Sequence, residues 1–134
     1  MTQWEVRTKH LIETADTLVA YPLVFGGALY GQMDICAYLV ARKFLHGTVA
    51  SAAVTHKSNV TFYLPSYVGD VLDIVGDVVS ANKKSIVIKV KAWRDIDLIA
   101  DVEHVFISID NTAGLDTRPK RLPYVNHDKP YKLK

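Results

Sequence analysis

Apolar and polar positions alternate along much of the second half of the chain, and that alternation predicts long strands. Val71, Asp73, Val75, Asp77 and Val79 stand against Leu72, Ile74, Gly76 and Val78. Beyond the loop Asn82-Lys83-Lys84, Ile86, Ile88, Val90 and Ala92 oppose Val87, Lys89, Lys91 and Trp93. Another run covers 99–110 after the turn Asp95-Ile96-Asp97, and a segment rich in Val, Thr and Ala covers 48–63 before Leu64-Pro65 ends it. Near the start, residues 4–12 read as a strand of imperfect alternation, joined onward by an irregular connection over 13–22. From Gly27 to about Leu45 the pattern is helical and apolar on nearly every side, with Arg42 and Lys43 only near its end, where cations suit the helix dipole. Such a helix is expected to lie inside. The order strand, helix, four strands predicts an α+β domain: a five-stranded antiparallel sheet curled around one long helix. An open sheet leaves an edge strand, so a dimer is expected.

One residue breaks the helical pattern. Asp34 stands in the apolar run Leu23 to Ala41, and a carboxylate in such surroundings needs a reason. Desolvation raises a carboxylate's pKa toward neutrality, where it serves well as a base. Upstream, Gly26-Gly27 falls where the helix should start, offering unpaired amides and room for close approach. Base and amide cradle together point to acyl chemistry.

Length and composition narrow the setting. The 134 residues suit a single domain over 1–117, followed by a basic tail over 118–134 that carries Arg118, Lys120, Arg121, Lys129, Lys132 and Lys134 against Asp128. A net charge of +2 is too small for a nucleic-acid binder. Three glycines, Gln32 and Asp34 argue against a membrane span over 23–41. The lone Cys36 excludes an intrachain disulfide, and its apolar neighbours make it core filler. With no apolar leader near Met1, a cytoplasmic setting is expected. His10, His46, His104 and His127 are scattered without ligand spacing, so no metal is expected.

The run Phe25-Gly26-Gly27-Ala28-Leu29-Tyr30-Gly31-Gln32-Met33-Asp34 resembles the Phe-Gly-Gly…Met-Asp motif of hotdog-fold acyl-CoA thioesterases, in their cytosolic acyl-CoA hydrolase branch. The resemblance continues through Thr61-Phe62-Tyr63-Leu64-Pro65…Val68-Gly69-Asp70, Lys84-Ser85-Ile86, Phe106-Ile107-Ser108-Ile109-Asp110 and Arg121-Leu122-Pro123, in order along most of the chain. It implies the hotdog fold, an active site at a dimer interface and acyl-CoA as substrate, with coenzyme A part of substrate and product and no separate cofactor. It also implies further assembly into trimers of dimers. Two positions depart from the pattern: Val19 stands where relatives keep an Asn, and Lys83-Lys84 stand where they keep a Gly.

Thioester hydrolysis needs a polarised carbonyl, an attacking water or carboxylate, and a place for oxyanion charge. Gly26 and Gly27 are candidates for polarising the carbonyl, and Asp34 for general base or nucleophile. Asp34 follows Gly27 by seven positions, two helical turns and ~10.5 Å of rise, so both share a face yet cannot touch one carbon. Antiparallel helices from two subunits would bring Gly27 of one beside Asp34 of the other. Thr55, His56, Lys57 and Asn59 lie on one strand, facing alternately in and out; the resemblance implies that polar residues here border the thioester and pantetheine, which makes Thr55, Lys57 and Asn59 candidates, whereas His56 reads as a surface residue. Lys83, Lys84 and Ser85, with Arg121 of the tail, are candidates for coenzyme phosphates. A non-catalytic acyl-CoA-binding hotdog module is the alternative. A dehydratase reading would want a His–carboxylate pair, and the helix carries no His near Asp34.

Overall fold

A computed structural model describes residues 3–17, 23–24, 26–47, 52–82, 84–110 and 120–121. Strand β1 (Val6–Leu11) leads through a 3-10 turn at Thr14–Asp16 to helix α1 (Gly26–Leu45). Four long strands follow: β2 (Ala52–Phe62), β3 (Val71–Ala81), β4 (Ser85–Arg94) and β5 (Asp97–Asp110), then the two-residue β6 (Lys120–Arg121). All pairings are antiparallel, in the spatial order β1-β3-β4-β5-β2, with β6 added on β5. The expected fold is therefore present. One short strand joins it from the tail, which lies otherwise outside the described residues, and the helix begins one residue earlier than its pattern suggests.

Alternation decides which face meets the helix. Leu72, Ile74, Ile86, Ile88, Val90, Ala92, Val102 and Phe106 turn inward and are buried against Leu29, Met33, Cys36, Ala37, Val40 and Ala41 of α1. Gly76 belongs to this face because the helix comes close: a Cβ there would meet Val40 Cγ2 at 3.1 Å and Cys36 Sγ at 3.2 Å. Burial pushes the Cys36 thiol up to about 11, so at neutral pH it is a thiol within the core. On the opposite face the charged positions form rows, Asp77–Lys89–Glu103 and Lys91–Asp101, across neighbouring strands.

The helix itself differs from the expectation of a fully buried rod. One sheet covers one side only, and Ile35 is 52% exposed, with Tyr38 and Leu39 also open to solvent in the protomer. Gly27, Gly31, Asp34, Ile35 and Tyr38 recur at helical spacing along this open side. Asp34 lies on it with a side chain 38% exposed, at the border of the core rather than within it.

The turn before β3 fixes the chain's approach to α1. Gly69 has φ +95°, a conformation open to glycine. Asp70 Oδ2 accepts the Tyr67 amide (2.9 Å) and pairs with Arg94 Nη1 (3.0 Å), which also donates to the Pro65 carbonyl (3.1 Å). The Ser66 carbonyl then accepts the Val24 amide (2.8 Å), two residues before the helix. Gly69 and Asp70 of the family-like element thus hold the entry to the helix.

Candidate active site

The helix N-terminus presents Gly26 and Gly27 without an acidic residue in the first turn, so no carboxylate of that turn offsets the dipole at its start. Neither glycine has positive φ, so the pair does not serve a strained turn. Gly26 lies against the Phe62 ring at the end of β2, where a Cβ would stand 3.4 Å from the ring. Gly27 is exposed.

Two turns on, Asp34 meets β2. Thr55 Oγ1 donates to Asp34 Oδ1 at 2.9 Å. Strict alternation would put Thr55 on one face with Lys57 and Asn59, and the structure corrects this. Thr55 pairs with Phe106 and Lys57 with Val105, so His56 is an extra residue, a β-bulge. The bulge turns Thr55 toward the helix and leaves Lys57 and Asn59 on the outer face, opposite Val105 and Glu103 and away from Asp34. Ser58, pairing with His104, faces the helix instead.

His104 arrives from β5, 70 positions along the chain from Asp34. Its ring is fully buried; Nδ1 lies 2.9 Å from Ser58 Oγ and 3.6 Å from Asp34 Oδ1. Ser58 Oγ is in turn 2.7 Å from the Tyr30 hydroxyl. Burial holds the imidazole below its ordinary value, with the Asp34 charge opposing in part. A His–carboxylate pair therefore exists, built from sheet and helix rather than on the helix alone. Reading the sequence missed it, although its signal was present: Ala100, Val102, His104, Phe106 and Ser108 alternate along one face of β5, and His104 is the titratable residue among these five.

The remaining candidates gather at one end of the sheet. Ser85 pairs with Ile107, next to the row of Ile86, Phe106 and Thr55, and Arg121 pairs with Ile109. Asn82 Oδ1 accepts from the amides of Lys84 and Ser85 (2.9 Å each) and from Ser85 Oγ (3.0 Å). The Lys84 and Ser85 amides are thus engaged within the loop, and among its described residues the exposed Lys84 ammonium is what the loop can offer an anion. Lys83, Val19 and Phe25 fall outside the described residues. Among the described residues, no group of His, Cys, Asp and Glu is placed to hold a metal ion, and no helix is long and apolar enough to cross a membrane.

Residues 21–100 match the thioesterase superfamily. An uncharacterized acyl-CoA thioester hydrolase of Zymomonas mobilis is 30% identical over 112 residues, covering 79% of this chain and 70% of the relative. The acyl-CoA thioester hydrolase YciA of Salmonella typhimurium is 35% identical over 91 residues, covering 68% of this chain and 65% of the relative. Among solved structures, an acyl-CoA hydrolase from Staphylococcus aureus in complex with butyryl coenzyme A, coenzyme A and coenzyme A disulfide superposes with a TM-score of 0.75 at 25% identity, covering 90% of this chain and 73% of that one. The chain belongs to the thioesterase superfamily. Within it, the chain is a hotdog-fold thioester hydrolase of the acyl-CoA group.

Proposed function

We propose that this protein hydrolyses acyl-CoA to a free fatty acid and coenzyme A at a site shared by two copies of the chain. The observation that carries this reading is the Thr55–Asp34 hydrogen bond on the open side of a helix whose first turn presents Gly26 and Gly27. Amides at the helix start polarise the thioester carbonyl of one half-site. Asp34 of the other chain activates water or attacks the carbonyl carbon directly. The exposed Ile35, Tyr38 and Leu39 give that second chain an apolar face to cover. Lys84, with Ser85 and Arg121 at the same sheet end, faces the coenzyme phosphates.

Thiol release from a panel of acyl-CoAs, followed with a thiol-reactive dye, tests the activity. Binding without release would instead establish the non-catalytic module. Subunit mixing tests the shared site. Asp34→Asn and Gly27→Val proteins, each inactive alone, should regain about a quarter of native activity after co-refolding, because half the dimers are mixed and each restores one site in two. No recovery would place both groups of a working site on one chain.

A further inference from the structure

A neutral imidazole carries one N–H, and the surroundings of His104 select where it sits. Nε2 is buried with no hydrogen-bond partner among the described residues. Were the proton there, a buried donor would stand unanswered and the bare Nδ1 would face the Asp34 carboxylate. With the proton on Nδ1, the N–H lies between Ser58 Oγ and Asp34 Oδ1, and only a lone pair is left over. Ser58 is then released to donate its own proton to the Tyr30 hydroxyl, 2.7 Å away.

We propose that His104, braced by Ser58 and Tyr30, is a positioning residue that fixes the rotation of the Asp34 carboxylate. Thr55 and His104 both address Oδ1. Among the described residues Oδ2 has no partner, and it is the oxygen that takes the proton of the attacking water or itself attacks. The groups packed around the ring keep this arrangement: Tyr30 and Phe106 lie 5.6 and 5.7 Å away between ring centres, and Ile88 is its apolar neighbour on β4. Asp34 and Tyr30, both on α1, are the titratable groups that face it; Ser58 on β2 and Ile88 on β4 stand opposite it, and the neighbouring Glu103 and Lys89 belong to the outer face of the sheet. Burial keeps the ring neutral at pH 7, where its one N–H bonds Ser58 Oγ at 2.9 Å and turns a polar edge to Asp34 Oδ1 at 3.6 Å without neutralising the base.

This role rests on the catalytic reading of Asp34, and the test separates the two. Thiol release is measured for the native protein and for His104→Phe, His104→Asn and His104→Gln. Asn places an amide nitrogen where Nδ1 stands, whereas Gln places it where Nε2 stands. The expected result is a loss in kcat of roughly tenfold to a hundredfold for His104→Phe with KM nearly unchanged, recovery in His104→Asn, and none in His104→Gln. Long-range nitrogen–proton NMR of the native protein should show the Nδ1–H tautomer, with Asp34→Asn shifting its signal. His104→Phe turning over within about twofold of native, or an Nε2–H tautomer, overturns the role alone. A native protein that releases no thiol overturns the catalytic reading and this role with it. Should His104→Phe not fold, the tautomer measurement on the native chain decides.

Discussion

Among the described residues two histidine–aspartate pairs stand out, and the shorter one is the less chemical. His10 Nε2 and Asp16 Oδ2 are 2.9 Å apart, both partly exposed and six residues apart in sequence. The same Oδ2 accepts the Glu13 amide at 2.8 Å, so the carboxylate ties the 3-10 turn to the end of β1. His104 and Asp34 are looser, at 3.6 Å, yet they join a buried ring from the sheet to a half-exposed carboxylate on the helix. In the first pair the carboxylate's contacts are spent on local chain geometry. In the second, both contacts among the described residues fall on one oxygen, and the other is the oxygen proposed to do the chemistry. Contact length by itself therefore does not mark a site; what the surroundings leave unused does.

Substitutions at each pair pull the two apart. Asp34→Asn should lower kcat by at least about a hundredfold while gel filtration shows the native assembly, and near-normal thiol release would erase the distinction. Thr55→Val removes one hydrogen bond on Oδ1 and keeps the volume; a loss of about tenfold in kcat is expected in the same assay. Asp16→Asn belongs to the other pair. It should leave thiol release unchanged and lower stability in urea by about 1 kcal/mol at pH 7, as loss of a helix-end cap does.

The finest contrast is in pH. Burial works to raise the Asp16 pKa, but the Glu13 amide and His10 override it and the net shift is downward. Its stabilisation is therefore present above the ordinary carboxylate value of 3.8 and fades as pH falls through the lower folded value. His104 is likewise depressed, so between its folded value and 6.5 the unfolded chain binds the proton more readily. Stability then falls as pH drops below 6.5. Urea titrations at pH 7.5 and 5.5 should show a smaller decline for His104→Phe than for the native protein.

The strands and the helix were legible because their periodicities differ and are local. Ser85–Arg94 could be read residue by residue from its alternation, as could the helix from its apolar spacing. Asp34 stood out as the one charge in the apolar run from Leu23 to Ala41. Its partners did not. His104 meets it through the register of β5 on β4 and β2, which no local pattern contains. Thr55 was named, yet the reason it reaches the carboxylate was hidden, because an alternating pattern cannot announce the residue that breaks it. The exposure of Ile35, Tyr38 and Leu39 was not legible either: apolar residues that the sheet leaves uncovered look the same in sequence as those facing a core.

The extra residue at His56 has a consequence of another kind. It makes β2 a strand with two phases, one carrying Thr55 and the other Ser58, and the site needs both on the same side. Deleting His56 would leave every side chain that touches Asp34 in the protein, and Thr55, Lys57 and Ser58 would then alternate in a single phase, so Thr55 and Ser58 would still share the helix side. What would go is the bulge's local kink and added twist, and with them the aim of Thr55 at Asp34 Oδ1. The extra residue acts on the direction of a side chain, not on the face that carries it.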